Sequence, residues 1–452
     1  MLVSAPRGIP KAGGHWLLGS ARDMAQAPHR FVAELAARHN GLASFRVLHK
    51  RFVAVSDPEL AHQVMVTRGD RYGRAYHNRN LRLLVGDGLL ATEGEPWLKR
   101  RRKAQPMFSS EAVKRLSPAV HTAVDRMLAR WESLRQSGAP VEIVAEMQRF
   151  TVAAIARVMF STDVGESETS RLAAIVRHGT LLIRRRNTSV AMWPMWMPTA
   201  RNRRLRAYRR ELDAIIERHI MARAPAGGAS QTPDLLSALI EARDPETGAA
   251  LSHGELLDEA KTLMVAGFET TATALAWALY LLARHRDVAA LWHAELDREL
   301  GGRKPEPRDL ERLPLSAQIV HETMRLYPSV YTLSRECVRD DELGGYEISK
   351  GAILLVSIYG IHRAPAWGAD PESFRPQRFA TGAWPKRAFL PFGAGRHLCI
   401  GNSLAILETM LALASIGQRF RLHPEDSAPV EPTAQITLVP SRPIPIRLEA
   451  RS

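Results

Sequence analysis

The run Leu263–Ala283, LMVAGFETTATALAWALYLLA, narrows the options for this chain more than any other stretch. Its apolar residues recur on every side of a helix, so the helix must be enclosed, either by lipid or by the interior of a large protein. About 20 apolar residues suffice to cross a bilayer, so length alone permits both. Gly267, Glu269, Thr270, Thr271 and Thr273 interrupt the run near its start and raise a third option, an active site carried by a core helix.

The chain offers such a core. Its 452 residues suffice for a large interior and, by length, for two or three domains. Hydrophobic residues make up 45% and charged residues 24%, the ordinary mixture of a soluble globular protein. The start, MLVSAPRGIPKAGGHWLLGS, is too rich in Pro and Gly for a signal peptide, so a cytoplasmic protein without a transmembrane segment is expected. The net charge is +15 and the sequence pI about 10.3. Basic residues clump at Lys99–Lys103, Arg184–Arg186 and Arg201–Arg210, but no zinc-finger spacing or RNA-binding aromatic signature accompanies them. Nucleic acid is not an expected partner.

The pattern is mainly helical with a smaller β part. Ala27–His39 reads as a helix, and Ala43–Leu48 with Phe52–Ser56 as a hairpin. Asp57 and Pro58 supply an N-cap and first-turn proline for the next helix. Ser109–His285 is mostly helical, broken at Met192–Pro198 and Ala224–Pro233. Ala352–Ile361 is β-rich, Ala364–Pro391 is irregular, and a final helix spans about Ile400 to Gln418 before closing strands.

Of the two cysteines, Cys337 lies in SRECVRD with no glycine nearby. Cys399 stands in FLPFGAGRHLCIGNSLAILE, among Gly393, Gly395 and Gly401 and directly before a helical pattern. Glycines let backbone N–H groups crowd one atom, and a helix start adds donors and a positive dipole end. Both favour a thiolate. Such a thiolate can serve as a nucleophile with His397 as base, as a redox thiol, or as an axial ligand to haem iron. No second cysteine is close enough for a CxxC pair.

The stretch Phe392–Gly401, FGAGRHLCIG, resembles the haem-binding loop of the cytochrome P-450 superfamily, F-x-x-G-x-[RH]-x-C-x-G, in full. Three further stretches are similar in family order. Glu322 and Arg325 match E-x-x-R, and Arg378 in PQRF completes the family's structural triad. AGFETT, Ala266–Thr271, matches the oxygen-activation segment. Trp97 and Arg101 match W-x-x-x-R, which with Arg335 and His397 aligns with haem-propionate contacts.

The resemblance implies the cytochrome P-450 fold, a triangular prism with haem between a long central helix and the Cys-bearing loop and helix. It implies one domain over residues 1–452 without a fused reductase, so that Ala224–Pro233 is a surface loop rather than a linker. It implies haem b (iron protoporphyrin IX) ligated by Cys399 and contacted by Phe392, Gly393, His397, Gly401, Trp97, Arg101 and Arg335. Ala266 and Gly267 would leave room for the cofactor, and Glu269 and Thr270 would manage protons. The activity implied is insertion of one oxygen atom from O2 into a C–H bond of a terpenoid, steroid or fatty-acid-like molecule. Electrons would come from a separate ferredoxin or flavodoxin with its NAD(P)H-dependent reductase, docking at Lys99–Lys103 on a monomeric enzyme. The substrate pocket would draw on Tyr72, Tyr76, Leu83, Met192, Trp193, Trp196, Phe268, Val330, Leu333 and Ile436. A peroxide-using peroxygenase and a non-catalytic haem sensor are the alternatives.

Overall fold

The computed structural model describes residues 8–161, 165–187, 193–223 and 234–451. Ala224–Pro233 lies outside the described residues, as does Met192. The chain forms two compact units, each made of two stretches. The first comprises the chain up to Asn78 together with His321–Cys399; the second comprises Arg79–Val320 with Ile400–Ser452.

The first unit is organised by a five-stranded sheet in the order Leu42–Val47, Lys50–Val55, Ile353–Ser357, Thr332–Cys337, Tyr72–Arg74. The expected hairpin pairs Leu42 with Val55 and Val47 with Lys50. Lys50–Val55 then runs parallel to Ile353–Ser357. Alternation sorts these strands onto two apolar faces. Val53, Val55, Leu354 and Val356 enter one cluster. Ala54, Ile353 and Leu355 join Val32, Leu35 and Ala36 of the helix Pro28–Ala37 in the other. Covered on both sides, Ile353–Ser357 is buried throughout. Each fully buried Leu or Val contributes roughly 1.5–3 kcal/mol.

Asp57 caps Pro58–His62 as its sequence indicates, accepting from the Leu60 amide at 2.8 Å. One boundary differs from expectation. The strand stops at Ser357, and Ile358–Ile361 is a helical turn because the Ser357 hydroxyl accepts from the Gly360 amide at 3.1 Å. A side chain at Gly360 would begin 2.9 Å from the Ala33 methyl, so the turn also lies tightly on the Pro28–Ala37 helix.

The second unit is built on the helix His253–Arg284. A capping box starts it: the Ser252 hydroxyl accepts from the Glu255 amide while the Glu255 carboxylate accepts from the Ser252 amide. The helix is long and apolar enough to cross a membrane, yet 78% of its apolar window is buried inside the protein, the signature of a core helix. It packs against Ile143–Phe160 and against Asn402–Arg419, the closing helix, which begins three residues after Cys399. The hairpin Pro432–Ala434 and Leu438–Pro440 is tied to it by Trp277 Nε1, which donates to the Leu438 carbonyl at 2.8 Å.

Candidate active site

Cys399 ends a tight loop in the first unit. The Gly393 amide donates to the Leu390 carbonyl, Leu398 to Gly395 and Cys399 to Phe392, each at 3.0 Å. Gly393 and Gly395 have φ of 72° and 68°, a region in which only glycine is unstrained. At Gly395 the requirement is also steric: a Cβ there would sit 1.9 Å from the Met65 carbonyl oxygen. Leu333 borders the same loop, its Cδ1 3.3 Å from where a Gly393 Cβ would stand. The two cysteines are sorted as their settings suggest. Cys399 is exposed, whereas Cys337 is buried, its thiol donating to the Arg339 carbonyl at 2.8 Å, and burial pushes its pKa up.

Behind this loop Glu322, Arg325 and Arg378 come together. Arg325 bonds both oxygens of Glu322, at 2.7 and 2.8 Å, and donates to the carbonyls of His362 (2.9 Å) and Pro371 (2.7 Å). Arg378 Nε lies 3.4 Å from Glu322 Oε1, and its Nη1 donates to the Trp367 carbonyl at 2.6 Å. Glu322 and Arg325 are wholly buried. His362 completes the frame, with Nε2 accepting from the Leu390 amide at 2.8 Å at the head of the Cys399 loop. Burial lowers the His362 pKa to about 3, so it is the neutral tautomer with Nδ1–H on the Arg325 carbonyl, 3.1 Å away. Arg335 is buried on Thr332–Cys337 and donates to the Ser334 carbonyl, and His397 lies in the turn Gly395–His397.

The second unit gathers the other set. Thr270 Oγ1 donates to the Ala266 carbonyl one turn back at 2.9 Å, and Thr273 Oγ1 to the Glu269 carbonyl at 2.8 Å. Glu269 accepts from Thr437 Oγ1 at 2.8 Å. Burial pushes the Glu269 pKa up, with the Thr437 and Thr180 hydroxyls as its side-chain partners. A Cβ at Gly267 would meet Ile155 Cδ1 at 2.9 Å, so the missing side chain admits the neighbouring helix. Trp97 is buried on the helix Gly94–Ala104, and Arg101, half-buried, follows one turn later. Gly401 precedes the closing helix, whose Ala405 amide donates to its carbonyl at 2.9 Å.

The Lys99–Lys103 run is not a free basic patch. Arg100 pairs with Glu259 at 3.0 Å, Arg102 with Asp244 at 3.2 Å and Glu246 at 2.6 Å, and Lys103 donates to the Ala250 carbonyl at 2.9 Å. Arg100 and Arg102 turn toward Glu259 and Asp244, buried acids that need partners, and Lys103 toward a backbone carbonyl. The sequence also hid how Val85–Leu89 is anchored: the Asp87 amide donates to Asp258 at 2.8 Å and the Leu89 amide to Glu259 at 3.1 Å.

The expected pocket set is divided. Tyr72 is buried in the first unit's sheet, its hydroxyl donating to Asp341 at 2.8 Å, so it is a core residue. Tyr76 sits under the Lys50 ammonium, to which it is also hydrogen-bonded, 4.3 Å from ring centre to Nζ. Val330 and Leu333 are half-buried in the first unit, and Leu83 and Ile436 in the second, where Phe268 is buried. Trp193 and Trp196 are 54% and 76% exposed. Asn202 Nδ2 pins their loop, donating to Pro194 O at 2.8 Å and Met197 O at 3.0 Å.

The cytochrome P-450 family model matches residues 9–448. The chain belongs to the cytochrome P-450 family. Cyclooctatin synthase of Streptomyces melanosporofaciens is 33% identical, over 98% of this chain and 95% of its own length. Pentalenene oxygenase of Streptomyces avermitilis is 30% identical, over 99% and 97%. Cyclooctat-9-en-7-ol 5-monooxygenase, also of S. melanosporofaciens, is 33% identical, over 93% and 89%. Among solved structures, the haem domain of cytochrome P-450DA matches with a TM-score of 0.90 at 27% identity, over 99% of this chain and 98% of that one. This cytochrome P-450 is thus a monooxygenase of the haem-thiolate class. Its residues fit that cofactor: an exposed soft thiol donor, and a glycine cradle beneath it that a Cβ at Gly395 would destroy.

Proposed function

We propose that this cytochrome P-450 hydroxylates a terpenoid, inserting one oxygen atom from O2 at an unactivated C–H bond. The observation that carries the reading is the sorting of the two cysteines: Cys399 exposed on a glycine-shaped loop, Cys337 buried and hydrogen-bonded. The Streptomyces relatives named for cyclooctatin and pentalenene support a terpenoid substrate. Cys399 would ligate haem b, which when bound supplies the oxidising power for C–H attack. The Glu322–Arg325–Arg378 cluster and His362 keep the loop carrying that thiolate in place. Trp97, Arg101, Arg335 and His397 are assigned to the haem propionates. Thr270 and Glu269 hold and pass protons, and Phe268, Leu83, Val330, Leu333 and Ile436 are assigned to an apolar substrate environment. All 452 residues are assigned to one catalytic domain. Electrons come from a separate ferredoxin or flavodoxin and its reductase.

The test is optical and then chemical. Reduced protein with carbon monoxide should show the red-shifted Soret band of thiolate ligation, lost in Cys399→Ser and kept in Cys337→Ser. A histidine-type band in the unmodified protein would sink the reading. Turnover of terpene alcohols and hydrocarbons with NAD(P)H, surrogate redox partners and isotopic O2 should give a labelled product. A spin-state response to fatty acids or steroids and none to terpenoids would reassign the substrate.

A further inference from the structure

Glu269 is enclosed by the long helix, the helix Glu166–Asn187 and the turn after Ala434. Among the described residues no Lys, Arg, His or second carboxylate on these elements acts on it; its surroundings are burial and two hydroxyls. A buried carboxylate without a cation is costly, so the group tends to remain neutral.

The hydroxyl geometry points the same way. Thr437 Oγ1 donates to Glu269 Oε1 at 2.8 Å. The Thr180 hydroxyl has one proton, and it lies 2.8 Å from the Val176 carbonyl and 3.1 Å from the Arg177 carbonyl, both acceptors only. With that proton committed to its own helix, Thr180 meets Glu269 with lone pairs. A carboxylate has no proton to offer those lone pairs; a carboxylic acid does. Thr273 Oγ1 is committed likewise to the Glu269 carbonyl at 2.8 Å, leaving its lone pairs 3.5 Å from Thr437 Oγ1. The hydroxyl protons are then all placed, and the Thr180–Glu269 contact gains a donor only when Glu269 carries the extra proton.

We propose that Thr437 and Thr180 are positioning residues that hold Glu269 as a neutral acid, Thr437 fixing its carbonyl oxygen and Thr180 receiving its O–H. The inference rests on Glu269 as the proton relay and adds the form in which the relay waits: loaded, with its proton aimed by residues from two distant segments. Release of that proton leaves a carboxylate still bonded by Thr437, and reprotonation from solvent restores the acid.

Infrared difference spectra of the purified haem protein, unmodified minus Glu269→Gln, test this without turnover. At pH 7 the unmodified protein should show a protonated-carboxyl C=O band that shifts in D2O. Thr437→Val should move the band to higher frequency by removing the bond to that C=O, and Thr437→Ser should restore it. Thr180→Val should move it by freeing the O–H. A retained carbon monoxide Soret band shows that each variant is folded. The proposal is overturned if only carboxylate bands respond to Glu269→Gln, or if the C=O band ignores Thr437→Val. The relay reading fails separately, if Glu269→Gln leaves the ratio of product to consumed NAD(P)H unchanged while the band behaves as expected.

Discussion

Glu322 and Glu269 are both enclosed glutamates on helices, and their surroundings differ in every respect. Around Glu322 the first unit places two guanidinium groups and the Arg375 amide, the last at 2.9 Å, and the guanidiniums reach on to backbone carbonyls. Around the Glu269 carboxyl, among the described residues, the second unit places hydroxyls only. A carboxylate gripped by fixed cations holds backbone in place; one held by hydroxyls in a buried site can be charged or neutral. The contrast extends to the glycines. Gly395 faces a backbone carbonyl that cannot yield, whereas Gly267 faces the tip of a flexible isoleucine. The Cys399 region is over-determined, and the Glu269 region keeps some give.

The strongest way to break this contrast is to remove a charge from the first cluster. Glu322→Ala should cost about 3–5 kcal/mol, because it leaves Arg325 buried without its carboxylate. Chemical denaturation and haem retention check it, and a loss below about 1 kcal/mol would mean that the cluster is not a frame. The glycines come next. Gly395→Ala should abolish the thiolate Soret band, while Gly267→Ala should cost about 1–3 kcal/mol of overpacking and be relieved by Ile155→Val. Equal damage at the two sites would erase the distinction between rigid and yielding neighbours.

Glu408 sharpens the comparison, being buried on the closing helix with Oε1 unpartnered and its pKa pushed up from 4.5 to about 8 by burial alone. The folded state therefore keeps a proton that the unfolded chain loses, so stability falls as pH rises from 4.5 to about 8. One proton corresponds to about 1.4 kcal/mol per pH unit. Glu408→Gln should flatten that slope in denaturation curves across the window, and an unchanged slope would show that water or a hydroxyl already serves the group. The smallest effect is expected at Lys99, exposed and 3.9 Å from Glu95. Lys99→Gln should change stability by less than about 0.5 kcal/mol, whereas Arg100→Gln should be clearly destabilising by stranding Glu259; similar losses would contradict the inward pairing.

Features carried by neighbouring residues were legible in the sequence. The Asp57 cap, the hairpin, the helical run through Ala283 and the glycine-framed Cys399 all depend on contacts within a few positions. The strand after Ala352 was read too long because a serine cap at Ser357, a signal of one side chain, outweighs β-propensity. KRRRK looked like a surface patch because composition does not reveal that Asp244 and Glu259, more than 140 positions away, turn it inward. Tyr72 looked like a pocket residue because its Asp341 partner lies 269 positions on.

By itself the sequence determined the family, the glycine-framed cysteine of that family's motif and the helix that must be enclosed, since motif spacing and hydrophobic period are local quantities. Only the tertiary structure decided that Gly267 lies against Ile155, that Trp193 and Trp196 are exposed, and that Glu269 is met by Thr437 and Thr180 and, among the described residues, by no cation. Those outcomes depend on which distant side chain arrives at a given point, and only long-range packing settles that.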